Sequence, residues 1–411
     1  MKARKGSIPG SKVALRGMLA AAVVACAIAP APADAQSGFT DWISNFYSVA
    51  ARYGVTRSTY RKAFSGVNSP DRETLEKAHN QPEFTTKIWD YLDSHVNAFT
   101  VENGRRMGKR YASTLAAIEQ RYGVDRSVLL AIWSMESNYG AVLQDPSRLH
   151  YVPRALATLA YYDKSRAKYA RQQLISALKI LQNGDVEPNG MFGSWAGAMG
   201  QTQFIPTSYD IYAVDADGDG RRDIWRSVAD TLASSANLLH KNGWRTGQTW
   251  GYEAVLPSGG ARYKGQEKTL RQWAALGFTR PDGKGFPVPG RDAVLKMPGG
   301  SDGPVFLMAR NFYVIKHYNQ SDYYALAVGL LADRIAGYGG VDQSWPRPAG
   351  SLDVSQKFEI QTRLKSLGYY AGDIDGNLGS GSRAAIAAFQ EQNGLTADGE
   401  PSHKVLEALR R

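Results

Sequence analysis

The sequence predicts a mainly α-helical protein with a few short strands, divided into a large N-terminal unit and a compact C-terminal one. Three observations carry that expectation. From Phe39 to about Tyr338 apolar residues recur at three- and four-residue spacing, the period of a helix face. Between Trp250 and Val305 that period gives way to Gly- and Pro-rich chain, which suits loops and short strands. An aperiodic stretch containing Pro346 and Pro348 then separates the last sixty or so residues, which have a helical period of their own.

Residues 1–35 are expected to be an export signal. Lys2, Arg4, Lys5, Lys12 and Arg16 precede the apolar run Gly17–Ala29, and Ala33-Asp34-Ala35 supplies a small-residue cleavage site. The apolar run is too short to span a bilayer. The chain's one cysteine, Cys26, lies inside this segment, so the mature chain has no disulfide and no thiolate metal site. Val23-Val24-Ala25-Cys26 also resembles a bacterial lipobox, in which Cys26 would carry a lipid and hold the protein at the outer membrane. The soluble periplasmic form is preferred, because the apolar run continues past Cys26. The whole chain carries a formal charge of +11; without the five basic groups and Asp34 of residues 1–35 it is +7. A basic exported protein suits a polyanionic wall or membrane surface, and export argues against nucleic acid.

Within residues 36–340, the strongest helical stretches surround Leu115–Ile118, Val128–Trp133, Leu174–Leu181, Leu232–Leu239 and Tyr324–Ile335. Residues 341–351 read as a linker. In residues 352–411, three helical stretches follow: Gln356–Leu367, Arg383–Gln390 and His403–Leu409. The turns Asp375-Gly376 and Asp398-Gly399 punctuate them.

One carboxylate stands out. Leu129, Ile132, Trp133 and Glu136 fall at i, i+3, i+4 and i+7, with Asp125 placed to cap the helix and Asn138–Gly140 to end it. Glu136 thus closes an apolar stripe. A carboxyl there loses water, its charged form is disfavoured, and it can stay protonated near neutral pH as a general acid. The alternative is a structural Glu paired with Arg166 or Arg154, and position alone does not choose.

The segment Gly193–Tyr209, GSWAGAMGQTQFIPTSY, combines small residues with amides and aromatics. Small residues let a ligand or another backbone come close, while amides and rings suit sugar hydroxyls, N-acetyl groups and sugar faces. It reads equally as a tight packing element, and Phe204 as core.

These motifs, with Glu136 in its ESNYG setting, Tyr212-Ala213-Val214-Asp215 and Asn311–Ala325 (NFYVIKHYNQSDYYA), resemble the B-type lytic murein transglycosylases over roughly residues 40–338 and in the same order. The resemblance implies a lysozyme-like fold with Glu136 as sole catalytic acid and base. It also implies that Ser194, Gln203, Tyr318, Tyr324 and Arg166 are substrate contacts. The implied reaction cleaves the MurNAc–GlcNAc β-1,4 bond of peptidoglycan glycan strands without water, leaving 1,6-anhydro-MurNAc ends. A hydrolytic muramidase and a non-catalytic wall-binding protein are the alternatives. No cofactor is required, and a monomer is expected.

Asp215, Asp217, Asp219 and Asp223 occupy positions 1, 3, 5 and 9 of a loop with Gly220 at position 6, as in the opening of an EF-hand. Arg226 stands where the bidentate acid belongs. Asp230 is either a late ligand or a helix cap. Relatives carry a calcium loop here, so the resemblance implies a structural calcium, which Arg226 argues against. Residues 352–411 resemble a three-helix peptidoglycan-binding domain, through Gln361-x-x-Leu364-x-x-Leu367-Gly368-Tyr369, Ala385-Ile386-x-x-Phe389-Gln390 and the two Asp-Gly turns. Its implied role is tethering to the wall.

Overall fold

The computed structural model describes residues 33–79 and 86–411. Cys26, its lipobox and nearly all of the expected export signal lie outside the described residues. No helix among the described residues is long and apolar enough to cross a membrane.

The centre of the large unit is the helix Arg126–Ser137, buried nearly all round through Val128, Leu129, Leu130, Ala131, Ile132 and Trp133. It packs between the helices Asp322–Ala336 and Ala98–Arg110, with Val228–Lys241 alongside. Each fully buried leucine or isoleucine contributes about 2 kcal/mol, so the stripe is more than enough to hold one desolvated carboxyl at its end. The expected Asp125 cap is not made: Asp125 precedes the helix without a side-chain hydrogen bond. Glu119 satisfies the first amide instead, accepting from Arg126 N at 3.1 Å and from the Arg126 guanidinium. At the other end Asn138, Tyr139 and Gly140 all take positive φ (47°, 58° and 85°) and stop the helix abruptly.

Strands β1 (His150–Tyr151) and β2 (Phe192–Gly193) form a short antiparallel ladder. The Gly- and Pro-rich stretch folds further than loops and isolated strands. Strands β3 (Gly251–Ala254), β4 (Glu267–Thr269), β5 (Asp292–Lys296) and β6 (Val305–Met308) make one antiparallel sheet in the order β3-β6-β5-β4. It encloses a second core of Trp273, Phe278, Leu295 and Leu307. Its strands are three to five residues long, too short for a period of two to show.

The C-terminal helices Val354–Ser366, Ser380–Gln392 and His403–Arg410 enclose Ile360, Leu364, Ile386, Phe389 and Leu406. A buried glutamine holds each Asp-Gly turn. Gln361 Oε1 accepts from Asp375 N and Gly376 N, and its Nε2 donates to Asp375 Oδ1. Gln390 does the same at the second turn, accepting from Gly399 N and donating to Asp398 Oδ1.

Residues 341–351 have no regular structure, yet they are anchored. Gln343 bonds Glu253, the Trp345 ring lies 6.4 Å from Phe306, and Arg347 grips Asp93 with both nitrogens at 2.8 and 2.7 Å. Lys357, from the first C-terminal helix, reaches the same Asp93 at 2.8 Å, and Asn97 donates to Asp375 O. Asp93 is 6% exposed, so this is a largely desolvated carboxylate shared by two cations. Removing its charge leaves Arg347 without a carboxylate and Lys357 with Asp90 at 3.2 Å alone, a cost of about 3–5 kcal/mol. Asp93→Asn is therefore expected to speed hydrogen–deuterium exchange at Asp342 and Gln343 at least tenfold, with little effect on the Arg126–Ser137 helix. Unchanged exchange in the strap would show that Asp93 does not hold it.

Candidate active site

Glu136 sits in the last turn of the central helix, half-buried, just before the left-handed stop. Neither guanidinium considered as its ion-pair partner reaches it. Arg154 donates to Ser69 and Pro70, and Arg166 pairs with Asp163 at 2.6 Å and donates to Ala78 O. The one hydrogen bond to the carboxyl among the described residues comes from Tyr324, whose hydroxyl donates to Oε1 at 2.6 Å. Burial raises the Glu136 pKa to about 7, against the lowering effect of Tyr324, and no basic side chain contributes. Such a group can give up a proton and take it back at neutral pH.

Tyr324 is itself positioned by neighbours from three of the sequence motifs. It is 4% exposed, and its ring stacks on Tyr318 at 6.4 Å and 17°. Tyr318 packs on Phe204 at 5.5 Å, donates to Thr202 O at 2.8 Å, and meets Ser235 Oγ at 3.2 Å. Burial and then the nearby Glu136 charge push the Tyr318 and Tyr324 hydroxyls well above the ordinary phenol range. Both phenols therefore stay protonated, and Tyr324 remains a donor.

The segment 193–209 is not a helix–helix contact. It is a loop closed by the bridges Gly193–Met199 and Met199–Phe204 before the helix Pro206–Tyr212. Its glycines are steric necessities: a Cβ on Gly193 would lie 2.0 Å from Ala198 O, and one on Gly200 (φ +60°) 2.6 Å from Ile224 O. Gln201, 7% exposed, clamps this loop to the central helix. Its Oε1 accepts from the Trp133 indole at 2.9 Å, its Nε2 donates to Trp225 O, and its own carbonyl accepts from Ser137 Oγ. Asn138, Tyr139 and Gln203 are the three non-glycine residues with positive φ among the described residues, and all three lie here. Ser194 and Gln203 are half-buried and bond locally, Ser194 Oγ to Ala198 N and Gln203 Nε2 to Gly200 O.

Glu136 opens into a cleft of about 890 Å³. Tyr91, Phe99 and Asn138 line it from the large unit, and Lys357, Asp375 and Arg383 from the C-terminal helices and turns. Arg166 is not among the lining residues; the structure places it at the turn between the helices Val152–Tyr162 and Ala167–Asn183, away from the Glu136–Tyr324–Tyr318 group. Sequence reasoning missed Tyr91, whose hydroxyl is pushed up to about 12 by burial and then by the Glu136 charge, and the half-exposed Phe99. Neither has a local signature. Gln201 was legible only as part of its motif.

In the acidic loop the structure gathers Asp215, Asp217 and Asp230, each offering an oxygen within 4.8 Å of the others. Asp219 and Asp223 lie outside that group; they accept from Arg221 N and from Trp225 N and Arg226 N, as Asp215 does from Gly218 N and Gly220 N. Asp230 is fully buried and ties the loop's ends together, accepting from Ala216 N and Asp223 N at 2.7 Å each. Three hard oxygen donors suit a divalent cation such as calcium. Arg226 does not crowd them, since its guanidinium lies toward Gly190.

The large unit is thus mainly helical with a carboxyl of raised pKa at the end of its central helix, and a three-helix module follows it. The chain belongs to the lytic transglycosylases: the "Transglycosylase SLT domain" family matches residues 38–333, and a peptidoglycan binding domain family matches residues 358–409. It is 43% identical to SltB3 from Pseudomonas aeruginosa, solved in complex with NAG-anhNAM-pentapeptide. That likeness covers 91% of this chain and 99% of that one, with a TM-score of 0.72. Membrane-bound lytic murein transglycosylase B of Escherichia coli (strain K12) is 32% identical over 251 residues, 60% of this chain and 66% of that relative, just under two thirds of its length. Slt35 of Escherichia coli, solved in complex with calcium, is 27% identical over 72% of this chain and 92% of that one, with a TM-score of 0.60.

Because the folded Glu136 pKa lies above its ordinary 4.5, the stability it contributes is fully present below pH 4.5 and is lost as pH rises through about 7. Glu136→Gln removes that dependence. The variant is expected to gain on the wild type in thermal unfolding between pH 4.5 and 8, by about 2–3 kcal/mol at the upper end. A difference that does not change with pH would mean that the carboxyl ionises normally.

Proposed function

We propose that this chain cleaves the MurNAc–GlcNAc β-1,4 bond of peptidoglycan by intramolecular transglycosylation, with Glu136 as the only acid and base. The observation that carries this reading is the Glu136 carboxyl, poised near neutral pH and bonded to one neutral hydroxyl. Tyr324 takes Oε1, so Oε2 is left to face the substrate. The protonated Glu136 gives its proton to the glycosidic oxygen as the bond to the muramic anomeric carbon breaks. The substrate's own N-acetyl group relieves the positive charge that develops there. The carboxylate then takes the proton of the muramic C6 hydroxyl, whose oxygen closes on the anomeric carbon. Glu136 ends protonated, water is not consumed, and the product is a 1,6-anhydro sugar. Positioning the C6 hydroxyl makes this second step unimolecular.

Of the other acids lining the cleft, Asp90 pairs with Lys357 and Asp375 is committed to the Gln361-held turn, while Asp373 comes from the C-terminal domain. Ser194, Gln203 and Tyr318 are assigned to the glycan groove by their place in the family motifs, and Tyr324 to holding Glu136. Arg166, committed to Asp163 and off the cleft lining, is assigned to holding the turn between its two helices rather than to the substrate. Residues 36–340 form the catalytic domain and 352–411 the wall-binding domain, working in the periplasm after export. Asp215, Asp217 and Asp230 are assigned to a structural calcium, which when bound would offset most of their clustered charge and stiffen the loop beside Trp225.

Two outcomes are expected. Mass spectrometry of purified sacculi digested by the protein gives anhydro-ended muropeptides, and Glu136→Gln lowers their formation roughly 10³-fold or more; reducing ends would instead establish a hydrolase. Millimolar calcium raises the stability over an EDTA-treated sample by about 1–3 kcal/mol. Asp217→Asn, at an exposed ligand position, removes that response; a wild-type protein indifferent to calcium rules out the site.

A further inference from the structure

The positive charge of this chain is unevenly spread. Residues 260–296, most of the small sheet unit, hold eight basic side chains and three acids, a net +5, whereas the remainder of residues 36–411 sums to +2. Of the eight, Arg280, Lys284 and Lys296 pair with Asp282 or Asp322. Arg262, Lys264, Lys268, Arg271 and Arg291 make no ion pair among the described residues. The fold gathers these five along the outer edge of the sheet, where β4 is the last strand. Arg262 and Lys268 both lie over the Tyr263 ring, at 4.7 and 5.5 Å, and the Arg262 guanidinium donates to the Tyr263 hydroxyl at 2.8 Å. Just past β4, Leu270 N donates to Arg291 O at 2.8 Å and Arg271 N to Pro289 O at 2.7 Å, which brings Arg271 and Arg291 to the same edge. Lys264 and Arg271 are exposed.

We infer that this edge is a docking surface for an anionic phospholipid bilayer. Cations on an edge strand can serve only to guard it against pairing with another sheet. Here β4 is three residues long, so its length already blunts the edge, and five unpaired cations exceed that task. None of the five lines the cleft around Glu136 or the two smaller cavities of about 570 and 610 Å³, so they form an open array and not a pocket. An open array matches a plane of lipid phosphates, whereas a small ligand or a single peptide calls for convergent groups. The neighbouring loop adds an apolar tip. Val288, between Pro287 and Pro289, is 40% exposed, and its carbonyl accepts from Arg291 N at 3.0 Å. A cationic surface carrying an uncovered apolar side chain suits the boundary between headgroups and acyl chains, while a wall polymer offers Val288 no apolar partner. Docking there uses none of the groups assigned to the glycan.

The test is sedimentation of residues 36–411, so that the apolar run Gly17–Ala29 takes no part, with two kinds of vesicle. One is phosphatidylglycerol and phosphatidylcholine in equal parts, the other phosphatidylcholine alone. Each basic group near an anionic bilayer strengthens binding roughly fivefold, so Lys264→Gln/Arg271→Gln is expected to bind the anionic vesicles roughly 10–30-fold more weakly than wild type, with unchanged melting. Val288→Ser should weaken binding several-fold. Wild type should prefer the anionic vesicles to the neutral ones and leave them at 1 M salt, where the screening length is about 3 Å. A control that removes two exposed cations elsewhere, Arg52→Gln/Arg61→Gln, should keep wild-type binding. Failure of wild type to bind the anionic vesicles, unchanged binding in either edge variant, or an equal loss in the control overturns the docking surface. So does a double variant that keeps its vesicles but self-associates, which would make the cations guards of β4. Loss of binding to purified sacculi in place of vesicles would make the wall their partner, and overturns it as well.

Discussion

A carboxyl group that stays protonated at neutral pH needs to lose much of its water and to have no cation paired with it, and the structure around Glu136 meets both conditions. The central helix is apolar on nearly every side, so the carboxyl at its end has lost most of its water. The guanidiniums nearest in sequence are tied elsewhere, Arg154 to backbone carbonyls and Arg166 to Asp163. What remains is a neutral phenol. Tyr324 donates one hydrogen bond to the ionised form, which moderates the effect of burial without cancelling it. The ring stack from Phe204 through Tyr318 to Tyr324 fixes that donor, so three segments far apart in sequence meet at one proton.

Holding the group in place takes a second device. Gln201 saturates the Trp133 indole and the Trp225 carbonyl, and Ser137 joins the loop to the helix end. Losing Gln201 would leave a buried donor and a buried acceptor unmade, each costing about 1–3 kcal/mol. The same region holds the three non-glycine residues of positive φ. Strain of that kind persists only where the surroundings over-determine the backbone, and here the surroundings are the Gln201 clamp and the glycine contacts that bring the loop against Ile224.

Legibility followed length and locality. Helices of eleven to seventeen residues with one apolar face were readable from spacing, as were the three C-terminal helices and their Asp-Gly turns. The four-stranded sheet was not, because its strands are too short to carry a period and its turns dominate the composition. The Asp125 cap was misread because Glu119 competes for the same amide from the preceding helix. At the site, Glu136, Tyr318 and Tyr324 were legible because each sits in a long motif. Tyr91 and Phe99 were not, since they approach Glu136 only through the packing of helices. In the acidic loop the spacing brought out Asp215 and Asp217, whereas Asp230 joins them from the following helix, a meeting that loop position does not reveal.

The linker shows how anchoring changes what a binding domain does. A flexible connection between two domains raises the local concentration of substrate and leaves its orientation free. Here the connection is held by Glu253, Phe306 and above all Asp93, whose two cations come from the strap and from the first C-terminal helix. The small domain consequently lines the cleft opposite Tyr91 and Phe99, with Asp375 and Arg383 facing the same space as Glu136. Contacts it makes with a bound strand then restrict rotation and translation of that strand relative to the acid. That moves its contribution from capture toward alignment of the muramic ring with the Glu136 carboxyl, where a displacement of an ångström matters more than affinity.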